Sequence, residues 1–272
     1  MTISPPLILY GTAWKQERTA ALVEQALALG FRGIDTACQP RHYHEAGVGA
    51  GIAARLLKGL KRSELYLQTK FTPLAGQDPC RLPYDPQAPL SEQVAQSFLC
   101  SLTNLQTDYL DGLVLHSPMA TLDQTMEVWQ SMERLVEQGG VRQLGISNCY
   151  DVRRLEHLTR HAAIKPKVVQ NRFYAATGYD VAIRDFCHQE GMAYQSFWTL
   201  TANHDLLAHP VICSMAAARQ RTEPQILFRY LTQIGVTPLT GTSSVLHMRQ
   251  DLEIAEFALT DLECQAITRL LH

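Results

Sequence analysis

The sequence lacks any CxxC pair, and its seven cysteines (38, 80, 100, 149, 187, 213 and 264) are odd in number and widely scattered. Neither a zinc ribbon nor a disulfide framework is indicated, and the thiols read as reduced, mostly buried small hydrophobes. No apolar run approaches the roughly 18 residues needed to span a bilayer, and residues 1–9 lack the basic and apolar regions of a secretion signal. An excess of charge is missing too. The sum is −2, from 24 basic and 26 acidic residues, and only the short patch 58–62 concentrates cations. That balance argues against nucleic acid or an anionic membrane as partner, and a cytoplasmic protein is expected. A Pro/Gly/Ser linker is also absent, so 272 residues with 46% hydrophobic content can serve one large core.

What the sequence does have is alternation. Short aliphatic or β-branched runs at 33–37, 65–70, 112–116, 143–147, 168–171, 193–197 and 236–240 read as strands. Helical patterns lie at 17–29, 46–57, 91–105, 121–138, 152–160, 179–189, 210–220 and 224–234. Gly30 closes the first helix, Pro224 opens a late one, and Gly139-Gly140 punctuates another. The strands are almost continuously apolar, as in Leu113-Val114-Leu115, which suits a parallel sheet covered by helices. Seven such runs, with an eighth around Tyr43 and an extra leading strand at 7–10, predict a single-domain (β/α)8 TIM barrel over residues 1–272. An open doubly wound sheet is the structural rival. Residues 72–89, rich in Pro and Gly, read as a functional surface loop.

A barrel requires its useful residues at the C-terminal ends of strands. Asp35, Lys70, His116, Ser147-Asn148, Gln170-Asn171 and Phe197 all end successive predicted strands.

These residues sit in fragments that resemble the aldo-keto reductase family along essentially the whole chain. In order they are "GFRGIDTA" with Asp35, "LYLQTKF" with Lys70, "YLDGLVLHSP" with His116, "GGVRQLGISN", "VVQNRFY", "AYQSFWTL" and "TPLTGTSS". The resemblance implies an oxidoreductase that reduces an aldehyde or ketone by hydride transfer from NAD(P)H. Hydride attack builds an alkoxide, so the site needs a proton donor and a polarising group on that oxygen. The resemblance makes Tyr43 the acid, Lys70 the cation that lowers its pKa, Asp35 the anchor of Lys70, and His116 a second hydrogen-bond donor.

One departure concerns the acid. The family's tyrosine commonly stands five positions after the aspartate, where this chain has Pro40, whereas Tyr43 stands eight positions on. The following His44-Glu45 and Val48-Gly49 restore the family register, so an insertion of about three residues is inferred, with His42 and His44 as alternative acids.

The resemblance also assigns cofactor contacts. Ser147, Asn148 and Gln170 match residues that bind the nicotinamide carboxamide, Phe197 the residue that stacks on the ring, and Gly11-Thr12 the pair beside it. Leu200 and the following Thr201-Ala202-Asn203 match the loop near the pyrophosphate. Gly241, Thr242 and Ser243 lead to a helix whose backbone N–H groups suit a phosphate. The family's cations for the 2′-phosphate fall on Gly241 and His247, with Arg249 nearby, and Gln250 and Asp251 match the adenine contacts. NADPH is expected, with weakened discrimination against NADH.

Gly49-Ala50-Gly51-Ile52-Ala53-Ala54 satisfies G-x-G-x-x-A but lies within a predicted helix rather than after a strand, so it reads as close packing. His42 and His44, with Asp35 and His116, form the rival reading of a metal-dependent hydrolase. A third reading is a regulatory cofactor-binding barrel with little turnover. No bound metal is expected, and the partner is a small carbonyl compound taken up by a monomer or weak homo-oligomer. Specificity is expected from the 72–89 loop and the chain terminus. Segment 257–272 leaves little room for a long C-terminal loop, so an open pocket and broad substrate acceptance are expected.

Overall fold

The computed structural model describes residues 6–271. Eight parallel strands close in sequence order: β1 Leu9–Gly11, β2 Gly33–Asp35, β3 Tyr66–Phe71, β4 Gly112–Leu115, β5 Leu144–Ser147, β6 Val168–Arg172, β7 Ala193–Phe197 and β8 Val236–Thr240. Tyr10 pairs with both Ile34 and Thr240, which closes the barrel and removes the open-sheet alternative. Helices α1 Thr19–Leu29, α2 Glu45–Leu56, α3 Leu90–Leu105, α4 Leu122–Glu137, α5 Val152–His161 and α6 Val181–Glu190 form the first six crossovers. The crossover from β7 to β8 carries three helices: α7 His204–Leu207, α8 Pro210–Arg219 and α9 Glu223–Gln233. After β8 come α10 Val245–Leu252 and α11 Asp261–Thr268.

Two strand expectations are corrected. The leading segment at 7–10 is not an extra strand but supplies β1, and the chain around Tyr43 forms a turn rather than a strand. The turn is closed locally, with Tyr43 N donating to Gln39 O at 3.0 Å, so its backbone is not offered to a neighbouring strand.

Strand side chains alternate between the two faces of the sheet. Phe71, Leu113, Leu115, Leu144, Ile146, Val169 and Tyr194 join helix residues such as Val94, Val128 and Trp129 in the main hydrophobic core, outside the barrel wall. The opposite face of the same strands lines the barrel interior, and there the polar residues collect. Helix ends are fixed by side chains: Thr121 Oγ1 caps α4 and Thr222 forms a reciprocal capping box with Gln225 at α9.

The G-x-G-x-x-A run lies inside α2. A Cβ at Gly49 would collide with Asn104 O of α3, and one at Gly51 would stand 2.6 Å from Ala20 O of α1. These glycines let three helix backbones approach closely, as small-residue packing requires. Segment 72–89 is closed on itself by Tyr84 Oη, which donates to Thr72 O at 2.8 Å, and is pinned to the body by Gln77 Nε2, which donates to Cys38 O at 2.9 Å.

Candidate active site

Asp35 and Lys70 meet inside the barrel mouth. Lys70 Nζ donates to both carboxylate oxygens of Asp35, at 2.8 and 2.6 Å, and to Thr36 O at 2.8 Å. Both side chains are almost wholly buried, so the ammonium is pushed below its ordinary pKa by desolvation, a shift that the Asp35 charge opposes. Beneath them runs a network that sequence reading missed. Gln68 Nε2 and Gln170 Nε2 each donate to Asp35 Oδ1 and to Gln195 Oε1, and Tyr66 Oη donates to Gln68 Oε1. The signal was present, because Gln68 and Gln195 each stand two residues before a strand-end residue, Lys70 and Phe197, and so share its face.

Tyr43 is held over this pair by the turn between β2 and α2. Cys38 N donates to Lys70 O, Gln39 Nε2 donates to Gly76 O, and Trp14 N donates to His42 O. At the start of α2, buried Glu45 accepts from Thr69 Oγ1 at 2.6 Å and Ser101 Oγ at 2.9 Å, fastening the helix to β3 and α3. The Lys70 ammonium lies 5.3 Å from the centre of the Tyr43 ring, and the His116 ring meets Tyr43 edge-on with centroids 6.1 Å apart. Among the described residues the Tyr43 hydroxyl has no hydrogen-bond partner. The expected lowering of its pKa by Lys70 is not what this geometry produces. The three ammonium protons are spent on Asp35 and Thr36, while burial, and after it the Asp35 charge, push the phenol above its ordinary value.

His116 follows β4, and its Nδ1 lies 2.7 Å from Thr72 Oγ1. Desolvation, with Lys70 next, holds its imidazole down at about 3, so it is neutral at ordinary pH. The two alternative acids part company: His42 lines the cavity and stacks on Trp14 at 3.9 Å, whereas exposed His44 does not line it. Among the described residues no group of three His, Cys, Asp or Glu side chains has a metal-binding arrangement.

From Tyr43 and His116 a single cavity of about 1100 Å³ runs across the barrel mouth to Gln250 and Asp251. Gly11, Thr12, Asp35, Ser147, Asn148, Gln170, Phe197, Leu200 and Thr201 line it, as do Gly241, Thr242, Ser243 and His247. Lys70 lies behind the wall. Asn203, expected in the same loop as Leu200, instead anchors it, donating to Phe173 O and Thr199 O. Asn171 faces away from Gln170 and ties Cys149 to Asp180. Trp14, Asn148 and Trp198 all line the cavity with φ of 64°, 53° and 57°, a conformation that costs such residues of order 1–3 kcal/mol and gathers at functional sites.

The aldo/keto reductase family model matches residues 8–272. The chain belongs to that family. It is 29% identical over 248 residues to a glyoxal reductase of Bacillus subtilis, covering 91% of this chain and 82% of that one. To a D-galacturonate reductase of Fragaria ananassa it is 28% identical over 275 residues, covering 93% and 82%. An aldo/keto reductase of Brucella melitensis superposes with a TM-score of 0.82 at 27% identity, over 97% of this chain and 95% of that one. The protein is thus an NAD(P)H-dependent oxidoreductase of carbonyl compounds by family.

This aldo/keto reductase offers a nicotinamide a fitting donor set. Gln170 Nε2 is committed to Asp35 and Gln195, while its Oε1 has no partner among the described residues and is free to take an amide N–H. At the far end the N–H groups of Thr242, Ser244 and His247 meet the hydroxyls of Thr240, Thr242 and Ser244, those of Ser243, Val245 and Leu246 have no partner among the described residues, and Arg249 does not line the cavity. Two cations that sequence reading did not single out, Lys15 and Arg18, line the cavity, and Lys15 Nζ donates to Gly241 O at 2.7 Å beside the ring of Tyr10. Burial, with Arg18 next, lowers its pKa to about 8. Two tryptophans and His42 frame the mouth, and neither 72–89 nor any described residue after Asp251 contributes to the lining.

Proposed function

We propose that the protein reduces a small aldehyde or ketone with NADPH, with Tyr43 as proton donor. The observation that carries this reading is the convergence of Tyr43, His116 and the buried Asp35–Lys70 pair at one end of a cavity whose other end holds Lys15. Phe197, Ser147, Asn148 and Gln170 would hold the reduced nicotinamide, which would supply the hydride. His116 orients the carbonyl oxygen through a neutral ring N–H, and Tyr43 Oη passes its proton to that oxygen as charge develops. A phenol with a raised pKa stays protonated over the working pH range and can pass its proton to an alkoxide, the conjugate base of a weaker acid. The Asp35–Lys70 pair contributes a fixed dipole beneath the phenol in a dry setting, where it needs no reorganisation.

At the adenosine end, Lys15 replaces the cation that the family carries at the position of Gly241, and its ammonium meets the 2′-phosphate. Gln250 and Asp251 contact the adenine. NADH is accepted less well. The substrate is left at the level of a small carbonyl compound, since the relatives named above act on glyoxal and on a sugar acid.

The test is NADPH oxidation over a panel of aliphatic, aromatic, sugar and dicarbonyl substrates, with wild type and Tyr43→Phe. Turnover by wild type and a loss of about 10²–10⁴ in the variant, with NADPH binding retained, is the expected result. Full turnover by Tyr43→Phe would remove it from the acid role, and tight NADPH binding without oxidation over the whole panel would favour a regulatory barrel.

A further inference from the structure

His116 is neutral, so its ring carries one proton, and which nitrogen holds it decides whether the cavity meets a donor or a lone pair. The ring nitrogen turned away from the cavity is Nδ1, at 2.7 Å from Thr72 Oγ1. Thr72 is the residue after β3, is only 2% exposed and does not line the cavity. It is held on several sides. Its carbonyl accepts from Tyr84 Oη at 2.8 Å and Gln77 Nε2 at 3.2 Å, and its methyl packs where a Cβ on Gly76 would come within 2.9 Å. Gly76 is itself tied down through its carbonyl to Gln39 Nε2. With the methyl wedged there, χ1 of a β-branched residue has one setting left, and it points Oγ1 at the imidazole. His116 is equally fixed, its N donating to Phe71 O and its carbonyl accepting from Asn148 Nδ2.

Two proton arrangements satisfy a 2.7 Å contact. If Nδ1–H donated to Oγ1, the buried hydroxyl proton of Thr72 would need a second acceptor, and among the described residues Oγ1 has no other partner. If the hydroxyl donates to Nδ1, the buried proton is satisfied and the ring proton falls on Nε2, on the side of the ring that the cavity reaches. We infer that Thr72 is a positioning residue: its hydroxyl donates to Nδ1 and thereby locks His116 in the tautomer that presents Nε2–H to the cavity. The inference rests on the proposed reading in which His116 holds the substrate oxygen. It makes the 72–89 segment a contributor to the chemistry without contact with substrate, through a single hydrogen bond delivered from behind.

The deciding measurement is long-range 1H–15N correlation on the intact protein with 15N-labelled histidine. The His116 signals, among those of ten histidines, are identified by their loss in His116→Gln. Wild type is expected to show protonated Nε2 and unprotonated Nδ1 from about pH 5 to 8. Thr72→Val, nearly isosteric, is expected to show a mixture or the opposite tautomer and about a tenfold lower kcat for carbonyl reduction, the size of one hydrogen bond, with NADPH affinity unchanged. Thr72→Ser, which keeps the hydroxyl, restores both. A protonated Nδ1 in wild type would overturn the inference, as would an unchanged tautomer and kcat in Thr72→Val. If wild type reduces no carbonyl, the functional reading fails, while the wild-type spectrum still decides the tautomer.

Discussion

The two ends of the cavity are built differently. At the Asp35 end, Asp35 and Lys70 stand on strands, are buried, and are bonded into a network with Gln68, Gln170 and Gln195, while Tyr43 and His116 stand just beyond the strand ends. At the Asp251 end they stand on the loop after β8 and along α10; Gly241, Ser243 and His247 are exposed, and a buried cation, Lys15, is lent by the loop after β1. Bond-breaking chemistry needs fixed dipoles and tolerates little displacement. Recognition of a phosphate needs a charge within reach, which more than one loop can provide. The first end is therefore a fixed network of side chains, and the second draws its buried lysine from a separate loop.

The sharpest way to break this contrast is Lys70→Met, which leaves the Asp35 carboxylate buried without its counter-charge. We expect kcat to fall by about 10³ or more, with a loss of about 3–5 kcal/mol in stability by denaturant titration. The corresponding change at the other end, Lys15→Met, should spare stability and kcat. It should weaken NADPH about 10–100-fold by calorimetry and leave NADH almost unaffected, as expected for one charge-assisted contact. The proton on Lys15 adds a pH signature. With its pKa lowered to about 8, the ammonium is charged below that pH and neutral above it. NADPH affinity should thus fall as pH rises through about 8, and that limb should vanish in Lys15→Met. Smallest is Ser244→Ala, which removes the cap of α10 at the adenosine end. It should cost about 1 kcal/mol and about 2–4 °C in Tm, measured by thermal melting.

The barrel was legible because its strands are short, apolar and separated by strongly periodic helices. The strand count was misassigned at one place for a local reason. Segment 7–10 is brief and precedes the first helix, while Tyr43 sits in an aromatic stretch that mimics a strand, and only the pairing of Tyr10 with Thr240 distinguishes them. Site residues at strand ends were legible for the same reason as the strands. Gln68 and Gln195 were legible only in part: their spacing puts them on the face of Lys70 and Phe197, but their bonds to Asp35, Gln170 and each other depend on which strands meet around the barrel. Lys15 was hidden by distance in sequence, standing 226 residues from the carbonyl it holds. The altered expectation for the Tyr43 phenol has a simple cause as well. Spacing located a lysine beside a tyrosine but not the directions of its three protons.

The strained tryptophans at the mouth have a practical consequence. Of three indoles, Trp14 and Trp198 are 62% and 50% exposed at the cavity rim, whereas Trp129 is fully enclosed, donating to Ile164 O. A molecule entering the cavity must change the surroundings of the first two and leave the third alone. The protein therefore carries two optical reporters and an internal reference, and cofactor or substrate entry can be followed by its own emission without a label.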